Sequence, residues 1–166
     1  MGIILNVPSE LKYSFFFTHD VFEIEELDVD FNLSNPFVYE VGFYNGLNMP
    51  RPWENPEEAI PYLQEEWKKL KIQLGTIFTT RDIASALVPM KQAIGLFIEM
   101  LFWSNAQPVC FPLNNIQQLQ IKPVNIQERI EFIISRPMLY HSFVQLTELF
   151  IEQEKHFTKM LLLKNK

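Results

Sequence analysis

A chain of 166 residues in which 48% are hydrophobic and 14% aromatic is long enough to bury one sizeable core. Five glycines and 20% charged residues exclude a disordered or Gly-rich linker. A formal net charge of -6 opposes broad affinity for phosphate backbones, and a single cysteine, Cys110, excludes an internal disulfide framework and a cysteine-based zinc knuckle.

In chain order, "MGIILNVPSELKYS" has no basic run before its short apolar triplet, so no signal peptide is expected. Pro8, Ser9 and Glu10 suit the start of a short helix through "ELKYSFFF". "DVFEIEELDVD" then sets six carboxylates in eleven residues. Its alternation is strand-like, with Phe22 and Ile24 inward, but no partner strand is evident elsewhere. The segment from 37 to 53 mixes Pro, Gly and Asn with Phe37, Tyr39, Phe43, Tyr44 and Trp53, and reads as a connection pinned by aromatics. Residues 1–54 are therefore expected to form an irregular acidic and aromatic extension, and residues 55–166 a helical core in the same domain.

Helix signals begin at Asn55. "NPEE" offers a cap, a first-position proline and Glu58 for a capping box. Ile60, Leu63, Trp67, Leu70 and Leu74 then recur at helical spacing, which predicts a helix from about 56 to 74, ended by Gly75. A second helix is predicted from Thr80 as its cap to Trp103 or Ser104, kinked or split at Pro89. "IGLFIEMLFW" within it is about half the roughly 20 residues of a membrane span and contains Glu99, so it reads as a core helix and no membrane partner is expected. Asn125 and Glu128 form a second capping box before "IQERIEFIIS", where Ile126, Ile130, Ile133 and Ile134 share a face. Pro137 ends that helix and opens a last one to about 163. There Leu139, Phe143, Leu146, Phe150 and Phe157 point inward, and His141, Gln145, Glu148 and Glu152 outward. The fold class is all-α: an irregular bundle of about four principal helices.

Chemistry is sparse. "DVDFNLS", Asp28 to Ser34, opens like a calcium loop, but Leu33 stands where the turn glycine belongs and Tyr39 where the bidentate glutamate belongs. The acidic run therefore reads as a solvated segment. His19, His141 and His156 lack the paired HxxxH or ExxH spacing of a bundle metal site. Cys110, flanked by Val109, Phe111 and Pro112, reads as a packed thiol. No phosphate-binding loop, dinucleotide fingerprint or nucleophile elbow occurs, and no cofactor is expected. Lys68, Lys69 and Lys71 alternate with Glu65 and Glu66 as a solubilising face does, which places nucleic acid behind protein as a partner.

Two segments, "RPWENPEEAIPYLQEEWKKLK" and "IKPVNIQERIEFIISRPMLYHSFVQLTELFIEQEK", resemble the YpoC family of small proteins from Bacillus and its relatives. The second is the more specific, through Lys122, Pro123, Val124, Asn125, Glu128, Arg129, Arg136, Pro137, Tyr140, His141, Ser142 and Phe143 in order. The resemblance implies no catalytic or ligand residues, because the family is functionally uncharacterised. It does imply a genomic context near replication-initiation and base-excision repair genes.

The expected function is that of a non-enzymatic, cytoplasmic protein-interaction or accessory factor. Its candidate surface is Trp53, Arg136, Tyr140, His141, Gln145 and Glu148, since Tyr, Trp and Arg concentrate binding energy. For Arg136 a structural role competes, that of bonding the carbonyls that close the preceding helix. The alternative is a small helical-bundle enzyme or metal-binding protein using His141 and nearby carboxylates. Neither the partner nor the oligomeric state is written in the sequence.

Overall fold

The computed structural model describes residues 2–24, 33 and 35–165. Within them the acidic alternation finds a partner strand: Val21–Ile24 (β2) pairs antiparallel with Ile3–Asn6 (β1), Ile3 opposite Ile24 and Asn6 opposite Val21. This corrects the expectation of an unpaired strand, since four residues of "IILN" are too few to show a period. Ile24 is buried and Phe22 half-buried, as the alternation requires. The rest of the acidic run, including the calcium-like Asp28–Ser34, lies outside the described residues except for buried Leu33.

The helix expected through "ELKYSFFF" is a single 3-10 turn, Ser9–Leu11. The aromatic connection contains a true helix, Val38–Tyr44 (α1), entered through Phe37 at φ 69. Val7, Leu11, Ile24, Phe37 and Val41 belong to the same buried cluster as the bundle helices, so this segment is packed into the core and is not a loose appendage. Phe16, Phe37 and Phe111 hold it there, with the ring centroids of Phe16 and Phe37 4.9 Å apart and those of Phe37 and Phe111 5.7 Å apart, both edge to face.

Four longer helices form the bundle: Pro56–Thr79 (α2), Leu87–Trp103 (α3), Ile126–Ser135 (α4) and Tyr140–Lys164 (α5). In α2 the predicted stripe Ile60, Leu63, Trp67, Leu70 and Leu74 is buried. Gly75 does not end the helix. It runs one turn further because Thr76 and Thr79 donate to the Ile72 and Gly75 carbonyls and Phe78 finds a packing site on α5. Thr80 is accordingly the C-cap of α2, its hydroxyl on the Ile77 carbonyl, and not the cap of the next helix. Arg81 follows at φ 61, and a 3-10 turn, Ile83–Ala86, leads into α3. Pro89 falls in the first turn of α3, where no amide is needed, and the span predicted as one helix is divided just before it, between the 3-10 turn and α3.

Every residue of α3 from Ala93 to Trp103 is buried. This central helix packs against both α2 and α5. Phe150 of α5 joins the three, stacked on Trp67 at 4.1 Å between centroids and edge-on to Phe97 at 5.2 Å. The loop after α3 is tied down by Asn105, whose side chain bonds both the amide and the carbonyl of Ile121 at 2.8 Å.

Both capping boxes are corrected in detail. Asn55 donates to the Glu58 carboxylate at 2.9 Å instead of accepting from the backbone, and Asn125 sits left-handed at φ 55 and makes no side-chain cap hydrogen bond.

Candidate functional site

The α4–α5 junction is where the sequence placed its best cluster, and backbone groups close it. The Arg136 amide meets the Phe132 and Ile133 carbonyls, and the Ser135 hydroxyl also donates to Phe132 at 2.7 Å. The Ser142 hydroxyl holds the Arg136 carbonyl at 2.6 Å. These contacts satisfy the helix end without the guanidinium, so the Arg136 side chain stays exposed and has no hydrogen bond among the described residues. Helix α5 starts at Tyr140, three residues later than Pro137 suggested, and Leu139 is its extended N-cap. Leu139 is therefore 42% exposed and not part of the inward stripe that Phe143, Leu146, Phe150 and Phe157 do form.

Across from this junction stands the extra turn of α2. Phe78 stacks on Phe143 at 5.4 Å and meets Tyr140 edge-on at 5.7 Å. Between them opens a hollow of about 480 Å³. Its apolar walls come from Phe78, Ile83, Pro137, Met138, Leu139 and Tyr140, and its two charged side chains are Arg81 and Arg136. Such a volume falls within the range of ligand pockets.

Of the sequence-derived candidates, the structure brings Arg136 and Tyr140 together here. His141 is exposed on the neighbouring side of α5, edge-on to Phe132 at 5.7 Å, and half-buried Gln145 and exposed Glu148 continue its stripe; none of the three lines the groove. Trp53 is removed from any surface: the 3-10 turn Pro52–Glu54 lays its ring edge-on to Phe43 at 5.2 Å, leaving it 4% exposed. Burying so large an apolar ring outweighs presenting it to water. Phe78, Arg81 and Ile83 were missed because Gly75 read as a helix end. The threonine-rich turn that follows was the available signal, since its hydroxyls bond back to the helix.

A second feature lies inside. Glu40 of α1 and Glu99 of α3 are both fully buried. The Glu40 Oε2 accepts the Trp103 indole N–H at 2.7 Å and the Val109 amide at 3.1 Å, while one oxygen of each carboxyl has no partner. Burial pushes Glu40 up to about 7, against the pull of those hydrogen bonds. Burial, then the Glu40 charge, holds Glu99 well above the carboxylate range. Tyr44 donates to the Val109 carbonyl at 2.9 Å, and its phenol is raised by burial and then by half-buried Cys110 and Glu40. Neither carboxyl lines the groove, so this pair clamps α1 to α3 without facing a bound molecule there. Among the described residues no three His, Cys, Asp or Glu side chains are grouped as metal ligands; His19, His141 and His156 are all exposed, the last two fifteen residues apart on α5.

Residues Ile83–Trp103 are long and apolar enough to cross a membrane, yet 72% of their apolar window is buried inside the protein, the position of a core helix.

Fold and site together define a class: a predominantly helical bundle carrying an apolar surface groove beside a helix junction. A family model described as YpoC-like protein matches residues 57–165, which include the whole groove. The chain is also 34% identical over 131 residues to Uncharacterized protein YpoC of Bacillus subtilis (strain 168), covering 76% of this chain and 77% of that protein. It belongs to the YpoC-like family. No solved structure matches it.

Proposed function

We propose that this protein is a non-enzymatic, cytoplasmic interaction or accessory factor that grips another protein through the groove between α2 and the α4–α5 junction. The observation that carries this reading is the apolar hollow itself, about 480 Å³, with Arg81, Arg136 and Tyr140 among its lining. Arginine and tyrosine are the residue types in which interfaces concentrate their energy. Tyr140 is 63% exposed although its ring already leans on Phe78, so a partner gains a rigid aromatic anchor at little entropic cost. A role beside DNA replication or repair belongs to the same proposal and draws only on the gene neighbourhood that the family resemblance implies.

The test is site-specific photo-crosslinking in the native host, with the reactive group at Tyr140 and, as control, at exposed Lys159 near the far end of α5. A protein adduct from position 140 that position 159 does not give is the expected result. Adducts that are the same from both positions, or absent from position 140, would overturn the proposal.

A further inference from the structure

The groove is charged against the trend of its own chain. The protein carries a formal charge of -6, yet both charged side chains in the groove lining are arginines. Neither Arg81 nor Arg136 forms an ion pair among the described residues. The carboxylate next in sequence to Arg81, that of Asp82, takes a hydrogen bond from the Ser85 hydroxyl at 2.6 Å. Each arginine is presented at a helix break, Arg81 in the left-handed residue that follows the C-cap of α2 and Arg136 in the non-helical C-cap of α4, so the two side chains leave fixed backbone and not a mobile tail. Apart from Ser135, whose hydroxyl is spent on the Phe132 carbonyl, and the Tyr140 hydroxyl, the rest of the lining is apolar.

This arrangement selects among occupants. A guanidinium is a planar fork that matches a carboxylate in a bidentate way, and a neutral or basic segment would strip water from two such cations without replacing it. Nucleic acid would supply anions and bases to stack on Phe78 or Tyr140, but its backbone would meet the chain's overall negative charge along the rest of its path. A second copy docked groove against groove about a two-fold axis would turn each groove's arginines against the same arginines of the other.

We propose that the groove takes an acidic segment of a partner protein, with large apolar side chains seated against Phe78, Leu139 and Tyr140 and carboxylates on Arg81 and Arg136. This rests on the reading of the groove as a docking site and adds the partner's chemistry.

Selection of short random peptides displayed against the full-length protein tests both levels. Enriched peptides are expected to combine Asp or Glu with aromatic or large aliphatic residues and to weaken as salt is raised. Against the double variant Arg81→Glu/Arg136→Glu they should lose affinity about ten-fold or more. The same peptides with Lys in place of their acidic residues should regain binding to that variant, an outcome that simple misfolding cannot produce. Enriched peptides that are neutral or basic, or that bind the arginine variant undiminished while Leu139→Asp abolishes binding, would overturn the acidic assignment and leave the groove as a docking site. Peptides indifferent to Leu139→Asp as well would remove both. Self-association of the protein that Leu139→Asp abolishes would put a second copy in the groove and overturn the acidic assignment too.

Discussion

The carboxylate of Glu40 accepts the indole N–H of Trp103 at 2.7 Å across 63 residues of sequence, entirely out of water. With the Val109 amide on the same oxygen, one buried side chain joins α1, the end of α3 and the loop beyond. The orphaned second oxygen makes the charged form expensive there.

That cost fixes a pH dependence. The folded-state value of about 7 lies above the ordinary 4.5, so between those limits the folded protein holds a proton that the unfolded chain has released. The group's contribution to stability is complete below about pH 4.5 and is lost as pH rises through about 7, on the order of 3 kcal/mol in all. Glu40→Gln keeps an acceptor for Trp103 and Val109 and carries no charge. Denaturant titrations should show this variant more stable than the parent above pH 7, with the difference shrinking toward pH 4.5. An equal difference at both ends would sink the assignment.

Phe150 sits between Trp67 and Phe97 with centroids 4.1 Å and 5.2 Å away. Phe150→Ala should lower stability by about 3–5 kcal/mol, the usual penalty of a large cavity in a close-packed core. Phe150→Leu, which refills much of the space, should recover a good part of that loss in the same melt.

Gly75 lies inside α2 with nothing within 4 Å of where a Cβ would stand. Gly75→Ala should therefore stabilise by about 0.5–1 kcal/mol, since alanine adds helix propensity and restricts the unfolded chain. A thermal midpoint about 2–4 °C higher is the readout; a fall would mean that the helix does not continue through this residue.

Asn105 imitates a strand neighbour for Ile121, giving one bond to its carbonyl and taking one from its amide. Asn105→Ala leaves both groups to find other partners, although buried Gln153 still reaches the Ile121 carbonyl at 3.1 Å. A loss of roughly 2 kcal/mol is expected, with amide exchange at Ile121 accelerated before the bundle as a whole opens.

Arg136→Ala, by contrast, should move the melting midpoint little, because its side chain is exposed and the helix end is closed by Ser135, Ser142 and backbone amides, while Tyr140→Ala should cost about 1 kcal/mol through its edge-on contact with Phe78. A large destabilisation would return Arg136 to the structural role that the sequence also allowed.

The helices were legible where one face is apolar over several turns. The buried stripe of α2 and the Phe143–Phe157 stripe of α5 follow directly from a 3.6-residue period. What misled were residues whose local preference yields to packing. Gly75 costs about 1 kcal/mol in a helix, less than seating Phe78 against Phe143 and Tyr140 returns, so the helix continues. Asn125 has the right type for a cap and the wrong backbone for one. The four-residue β1 was too short to announce itself, and α1 was hidden among Pro, Gly and Asn. For the groove, Arg136 and Tyr140 could be picked out because they flank a proline break. Trp53 could not be told from a surface anchor by composition, and the opposite wall depended on a helix turn that the glycine concealed.

The stacking of the N-terminal segment on Phe111 has a consequence for synthesis. The Phe111 amide donates to the Glu10 carbonyl at 2.7 Å, and its ring stacks on Tyr13 at 4.8 Å. At roughly 5–20 residues per second a ribosome needs about 5 to 20 seconds to make the intervening stretch. For that interval the N-terminal segment can pack on Phe37 but lacks the part of its seat that Phe111 supplies. Residues made well before Phe111 are docked only after it, and a chain stalled short of Phe111 presents the aromatic run Phe15 to Phe17 to whatever chaperone stands at the tunnel.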